Sequence, residues 1–276
     1  MGRSVSKVSV LMPSYNSAPY LREAIESIRC QTFQDFELII VDDGSDDHSA
    51  AILAECSAED SRIRIIRNDR NRGIVYSLNR GLRACRGEYV ARMDADDIAV
   101  KERLEKQVVF LDKHKDVIVL GGAAAYVDRA GKELDVVGRS QVNRSLIYRN
   151  PMLHPTIMLR RQVLEQLQLG YLEKYRYAED YFLWLQLSRS GKLAAQDEII
   201  LKYRLSGSAT RMKHLKKVLW ATLKVKTAGV FQLGIRPEFL DVIRFFSECI
   251  LLLLPSFIVR SLYLRFTFGR NIMRLL

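Results

Sequence analysis

Cysteine is sparse and scattered. Cys30, Cys56, Cys85 and Cys249 form no CxxC pair, which argues against zinc and offers no disulfide framework, as suits a reducing cytoplasm. No G-x-G-x-x-G follows the first strand-like run, and no G-x-x-x-x-G-K-[ST] occurs anywhere. The dinucleotide and P-loop ways of holding a diphosphate therefore lose ground. Met1 to Val10 has no long apolar core, so no secretory signal is expected. Cys249 to Val259 (CILLLLPSFIV) is apolar for eleven residues, about half of what a spanning helix needs, and Pro255 would kink it. Acids are outnumbered: 43 Lys and Arg face 32 Asp and Glu, a net charge of +11. Such an excess predicts a negative partner, whether nucleic acid, anionic lipid or a phosphorylated substrate. Apolar residues are ample at 48% of 276, enough for one large domain with a small appendage.

Against that basic background stands Met93-Asp94-Ala95-Asp96-Asp97. It follows a short strand-like run, Glu88 to Arg92, opened by Gly87. Three acids in four positions repel one another and lose hydration if half-buried, so something positive must compensate. In extended backbone Asp94 and Asp96 point the same way, and both can offer oxygens to a hard cation such as Mg²⁺ or Mn²⁺. Water or substrate phosphate would complete the shell. The competing reading makes Asp96 or Asp97 a cap for a helix starting near Val100.

Strand and helix patterns alternate up to this cluster. Strands are expected at Lys7 to Met12 (ended by Pro13), Phe36 to Val41, Ile63 to Arg67 and Glu88 to Arg92. Helices are expected at Ala18 to Gln31, after Asp47, and at Ile74 to Cys85, the first with Leu21, Ala24, Ile25 and Ile28 on one face. This predicts a parallel α/β sheet with right-handed crossovers. Ligands in such sheets bind beyond the carboxyl ends of the strands, where Pro13 to Asn16, Asp42 to Ser45, Asn71 to Gly73 and Asp94 to Asp97 all fall. Asp42 is placed to accept from a nucleotide's base or ribose, whereas Asp43 and Asp46 read as turn and cap acids.

In order, Val10 to Asn16 (VLMPSYN), Gln31-Thr32-Phe33, Glu37 to Ser45 (ELIIVDDGS), Asn71-Arg72-Gly73 and Met93 to Asp97 resemble the GT-A glycosyltransferases of the large family 2. The resemblance covers about residues 5–205. It implies a nucleotide-sugar transferase with an inverting mechanism and a GT-A fold, a Rossmann-like, mostly parallel sheet flanked by helices. Pro13, Tyr15, Asn16 and Asp42 match the family's nucleotide positions, with Arg72 and Gly73 beside them. Asp94, Ala95 and Asp96 match its diphosphate motif, and Asp94 and Asp96 its metal ligands. An ED pair opening a helix carries the family's catalytic base, which makes Asp180 the base and Glu179 its neighbour. His154, in the family's HP(S/T) sequence, would lie near the acceptor side, against the competing reading of a structural histidine; Trp184 and Tyr181 could form a sugar-stacking platform there, with apolar packing the expected role of at least one. Ser206 stands where many relatives have a histidine, so Arg204 or Arg211 would supply charge to the diphosphate instead, with a solvated basic loop as the competing reading. No QxxRW sequence is present, so one sugar is expected per encounter.

These matches set the expected organisation. A catalytic domain would occupy 1–210, its nucleotide half about 1–100 and its acceptor half about 100–210. A basic, apolar helical tail would occupy 211–276. Arg260, Arg265, Arg270 and Arg274 alternate with Leu262, Tyr263, Leu264, Phe266 and Phe268, as in a basic amphipathic helix lying on an anionic bilayer. Packing on the catalytic domain, or on a second copy as a homodimer, is the competing reading. The expected partners are a UDP-sugar, glucose or galactose favoured, and a lipid-linked saccharide such as GlcNAc on undecaprenyl diphosphate. The expected product is a β-linkage, β1,3 by chain type, in O-antigen or capsule assembly on the cytoplasmic face of the inner membrane. A nucleotidyltransferase would share the sheet and the metal acids but needs a Gly- and Arg-rich loop where Pro13 to Asn16 stands. A nucleic-acid module would interleave its basic residues with aromatics on one face, a pattern this chain does not show.

Overall fold

The computed structural model describes residues 5–142, 145–205 and 214–262. Strands β1 (Val8–Ser14), β2 (Phe36–Asp42), β3 (Ile63–Arg67) and β4 (Tyr89–Arg92) alternate with helices α1 (Ala18–Arg29), α2 (Ser49–Glu59) and α3 (Ile74–Ala84). They lie in the order β3-β2-β1-β4, all parallel. β1 and β2 are buried at every position, as their near-continuous apolar sequences require of strands covered on both faces. α1 turns Leu21, Ala24, Ile25 and Ile28 inward, the four positions its periodicity marks.

β1 does not end at Pro13. It continues to Ser14, with Pro13 level with Val41. Leu11 gives its carbonyl to Met93, so Pro13, two residues on, presents its missing N–H to the same side. There β1 and β4 have already parted, their last pair being Leu11 with Arg92. No ladder bond is lost, which is the condition for proline inside a sheet.

The sheet then changes character. After β5 (Ile98–Ala99) and α4 (Arg103–Lys113), β6 (Val117–Val127) carries β7 (Glu133–Arg139) as an antiparallel partner. β8 (Met158–Arg160) runs antiparallel between β4 and β6 and joins the two halves. After α5 (Arg161–Gln166) and α6 (Glu179–Leu187), β9 (Lys192–Arg204) lies parallel to β6 and holds β5 on its far side. Gly121 in β6 lies against Ser140 and Met152 with no room for a Cβ.

Helices α7 (Leu215–Phe231) and α8 (Phe239–Leu253) close the described chain, with residues 256–262 again helical. Ala221, Val225 and Ala228 of α7 share one apolar cluster with Tyr181, Phe182 and Leu185 of α6. The tail's helix therefore packs on the catalytic part. Ser206, Arg211 and the basic stretch from Tyr263 onward lie outside the described residues.

Candidate functional site at the carboxyl ends of the strands

The register of β1, β2 and β3 brings Ser14, Asp42 and Arg67 level across three strands. Asp42 is 1% exposed. Its Oδ1 accepts the Ser45 N–H at 3.0 Å, while Oδ2 is buried without a hydrogen bond, 3.4 Å from Arg67 Nε. Ser14 Oγ is buried and unpartnered too. Buried polar atoms are normally satisfied, and these two at one strand edge are acceptors that a polar ligand could complete. Ser14 was legible only as loop sequence beside Tyr15.

Asp43 is neither a cap nor a solvated turn acid. It accepts the Arg72 and Gly73 N–H groups at 2.9 and 2.8 Å and the Asn68 amide at 2.5 Å, pinning the Asn71–Gly73 loop. Gly73 has φ +88, and the Arg176 guanidinium lies 3.6 Å from where its Cβ would be. Asn16, at φ +49, accepts the Asp46 N–H and donates its own N–H to Ser45 Oγ. Its loop thereby joins the one after β2, and Tyr15 is left exposed. Arg72 lies over the Tyr76 ring at 4.6 Å, beside Asp69.

Asp94, Asp96 and Asp97 each bring a carboxylate oxygen within 4.8 Å of the others. Asp97 belongs to this group and caps no helix. Behind it run β5 and then α4, whose N-cap is Glu102. Asp97 Oδ1 accepts the Arg204 N–H at 3.0 Å, while Oδ2 is buried with no partner. Burial, then the charges of Asp94 and Asp96, push its carboxyl well above the ordinary carboxylate range. Arg92, 4% exposed, grips Asp94 with both terminal nitrogens, Nη1 lying 2.6 Å from Oδ2. Three crowded acids, one with a sequestered free oxygen, are the donor set a hard divalent cation accepts. Ala95 is buried between the two exposed-side acids.

Arg204 is committed elsewhere. Its buried guanidinium binds the carbonyls of Asp96 and Arg129 at 2.9 and 2.8 Å and the Glu23 carboxylate at 2.5 Å. It braces the acidic loop from behind, which corrects its assignment as a free cation for the diphosphate.

Glu179 and Asp180 occupy the first turn of α6, where acids complement the helix dipole. Tyr177 turns the chain into the helix at φ +77, a conformation rare outside glycine. Asp180 Oδ2 accepts the Asn150 amide at 2.8 Å. Glu179 Oε2 is buried without a partner, and burial together with the Asp180 charge raises its carboxyl to about 7. Tyr171, which lies in none of these motifs, is buried. Burial raises its phenol above the ordinary range; Arg92 opposes the shift, and Asp180, Glu179 and Asp94 add to it. No periodicity or motif marked Tyr171, Asn150 or Arg92.

His154 Nε2 lies 2.8 Å from the Tyr171 hydroxyl, and its ring meets Trp184 edge-on at 5.8 Å. Burial, aided by Arg92, holds it well below its ordinary range, so the ring is neutral and packs as a support for Tyr171. Trp184 and Tyr181 are each 0% exposed. Trp184 lies in the core with Leu11, Ile39 and Leu159, and the Tyr181 hydroxyl donates to the Leu146 carbonyl. Both are withdrawn from acceptor contact because α6 is buried on nearly every side.

Comparison with known proteins agrees with this arrangement. Residues 9–168 match the model of glycosyl transferase family 2. An uncharacterized glycosyltransferase of Haemophilus influenzae is 38% identical over 218 residues, covering 74% of this chain and 67% of its own. The O-antigen biosynthesis glycosyltransferase WbnJ of Escherichia coli is 30% identical, over 77% of this chain and 85% of its own. Among solved structures, residues 1–349 of S. aureus TarS in complex with UDP superpose with a TM-score of 0.66. The identity is 23%, over 98% of this chain and 75% of that one. The fold is the same GT-A arrangement, a curled, mostly parallel sheet flanked by helices, and this chain belongs to glycosyl transferase family 2.

Proposed function

We propose that the chain is an inverting hexosyltransferase that moves glucose or galactose from a UDP-sugar to a saccharide acceptor. The acceptor is GlcNAc on a lipid diphosphate at the cytoplasmic face of the inner membrane, and the product is a β-linkage, β1,3, in surface-polysaccharide assembly. The observation that carries the reading is the cluster of Asp94, Asp96 and Asp97 just beyond β4, whose carboxylate oxygens lie within 4.8 Å of one another. TarS was solved with UDP and WbnJ acts in O-antigen biosynthesis, in line with such a donor and product. Family membership removes the ground from a nucleotidyltransferase.

In this reading Ser14 Oγ and Asp42 Oδ2 meet the polar edge of the nucleotide base, and exposed Tyr15 stacks on its face. Asn16, Arg72 and Gly73 line the loops around it. Asp94 and Asp96, with Asp97 behind them, would hold Mn²⁺ or Mg²⁺, which neutralises charge growing on a departing diphosphate. Arg92 keeps Asp94 aimed. Asp180, steadied by Asn150, takes the acceptor hydroxyl's proton as its oxygen attacks the anomeric carbon. The bond from that carbon to the diphosphate oxygen breaks, and UDP leaves with the electron pair. One displacement inverts the centre.

The test is transfer from UDP-glucose or UDP-galactose to a synthetic GlcNAc-diphosphate-lipid with Mn²⁺. Asp180→Asn should lower turnover about 100-fold or more while UDP binding persists. Turnover retained in that variant would reject Asp180 as the base, and no transfer from either donor would reject the donor assignment.

A further inference from the structure

Helix α8 is turned inside out. Its charged side chains face the protein: Asp241 is 1% exposed and Glu248 7%. Asp241 accepts Ser145 Oγ at 2.6 Å. Glu248 pairs with Lys226 of α7 at 2.7 Å and with Arg244 at 2.8 Å. The large apolar side chains face away. Phe239, Ile243, Phe246, Ile250 and Leu253 are between 49% and 84% exposed, and Phe257 beyond the helix end is 73% exposed. Steps of four and three residues keep the positions from Phe239 to Leu253 on one side of the helix. Exposed Leu240 and Val242 widen the stripe. A soluble surface helix has the opposite pattern, and a contiguous apolar face of this kind marks a docking surface.

We propose that this face of α8 lies in the interface of an anionic phospholipid bilayer. Fifteen residues span about 22 Å of helix, short of the roughly 30 Å hydrocarbon core, so the helix lies in the membrane plane. No helix among the described residues is long and apolar enough to cross. Charge chooses the occupant. Residues 211–276 carry twelve Lys and Arg against three Asp and Glu, nine of the chain's eleven net positive charges. Arg236 and Arg260 are exposed at the two ends of the stripe, and Lys217 and Lys224 along α7. The same spacing would suit a helix pair between two copies, but that would bring two such tails together with nothing to neutralise them. An anionic surface supplies the neutralising charge and the apolar depth together.

The helix before Arg260 thus offers a contact surface of its own, while the stretch from Tyr263 onward lies outside the described residues. The inward side of α8 also ties the surface to the site. Lys226 donates to the Tyr148 carbonyl at 2.9 Å, Arg244 lies over the Tyr148 ring, and two residues on Asn150 holds Asp180. The proposal deepens the reading of a lipid-borne acceptor but stands on surface chemistry alone, so its failure would leave UDP-dependent transfer untouched.

Flotation of the full chain with phosphatidylglycerol–phosphatidylcholine vesicles, and with phosphatidylcholine alone, tests it. Binding should require phosphatidylglycerol and weaken at least tenfold between 50 and 500 mM salt, values chosen from the screening length of each. Phe246→Ser with Ile250→Ser, both at exposed positions, should lose vesicle binding tenfold or more while UDP binding and the melting profile stay unchanged. Arg236→Glu with Arg260→Glu should remove the preference for anionic lipid. The proposal fails if the wild-type chain does not float, or if the apolar variant floats as well as wild type. It fails too if light scattering shows a dimer that the apolar variant splits without any vesicle binding.

Discussion

Glu179 carries a proton for longer than a carboxyl group should. Its folded value is raised to about 7, first by burial and then by Asp180. An unfolded glutamate titrates near 4.5. Between those values the folded state holds the extra proton, so this group's contribution to stability falls as pH rises through the window and is fully adverse above it. The span corresponds to roughly 3 kcal/mol. Glu179→Gln keeps the shape and removes the charge. It should raise the unfolding free energy by about 1–3 kcal/mol at pH 8 and leave it unchanged at pH 4, read from urea denaturation. An equal effect at both pH values would mean that shape, not ionisation, governs the site. Asn150 tests the neighbouring acid. Asn150→Ala removes the bond to Asp180 and should lower kcat about tenfold, the size of one such bond to a charged group, with KM for the donor unchanged. A change confined to KM would place Asn150 with substrate binding.

Elements were legible where one signal dominated. β1 to β4 are short apolar runs ended by turn residues, and α1 and α3 carry clear apolar faces, so their positions follow from sequence to within two residues. β5 has two residues and β9 mixes charged and apolar positions over thirteen. Their strand character comes from pairing with each other and with β6, which no local pattern records. Lys226 shows the same limit. Among the lysines of α7 it reads as one more solvated cation, yet it is 1% exposed because its partner Glu248 lies across a turn on α8. Lys226→Met would strand Glu248 with only Arg244. It should cost about 2–3 kcal/mol, since breaking a buried pair leaves an uncompensated charge. Adding Glu248→Leu should recover most of that loss, read from chemical denaturation of both variants. A double variant no better than the single one would assign the loss to packing of the lysine stem.

At the scale of the whole molecule, acids and bases are sorted. Acidic loops gather at the carboxyl ends of the parallel strands, and nine of the eleven net positive charges fall in residues 211–276. The first half of that sorting was legible because strand ends can be counted along the chain. Asp94 and Asp96 could be named in that way, as could Asp42. The pairing of His154 with Tyr171 and of Asn150 with Asp180 was not, because 17 and 30 residues separate the partners and each role depends on being packed together. If the strand-end site takes a nucleotide and a divalent cation, the ligands touch β1, β2 and the loop after β4 at once, and those strands share one apolar core. Binding then stabilises that core as a unit. With UDP at about 100 times its dissociation constant in the presence of Mn²⁺, folding should gain about 2.7 kcal/mol from the nucleotide, a rise in Tm on the order of 5 °C for a chain of this size. Mn²⁺ alone should give less. Asp96→Ala should abolish the rise that depends on metal and keep the unliganded Tm within a degree or so, because Asp96 lies on the open side of the cluster. The same rise in the Asp96→Ala protein would mean that the diphosphate is held without this carboxylate, and the cation would have to be sought elsewhere.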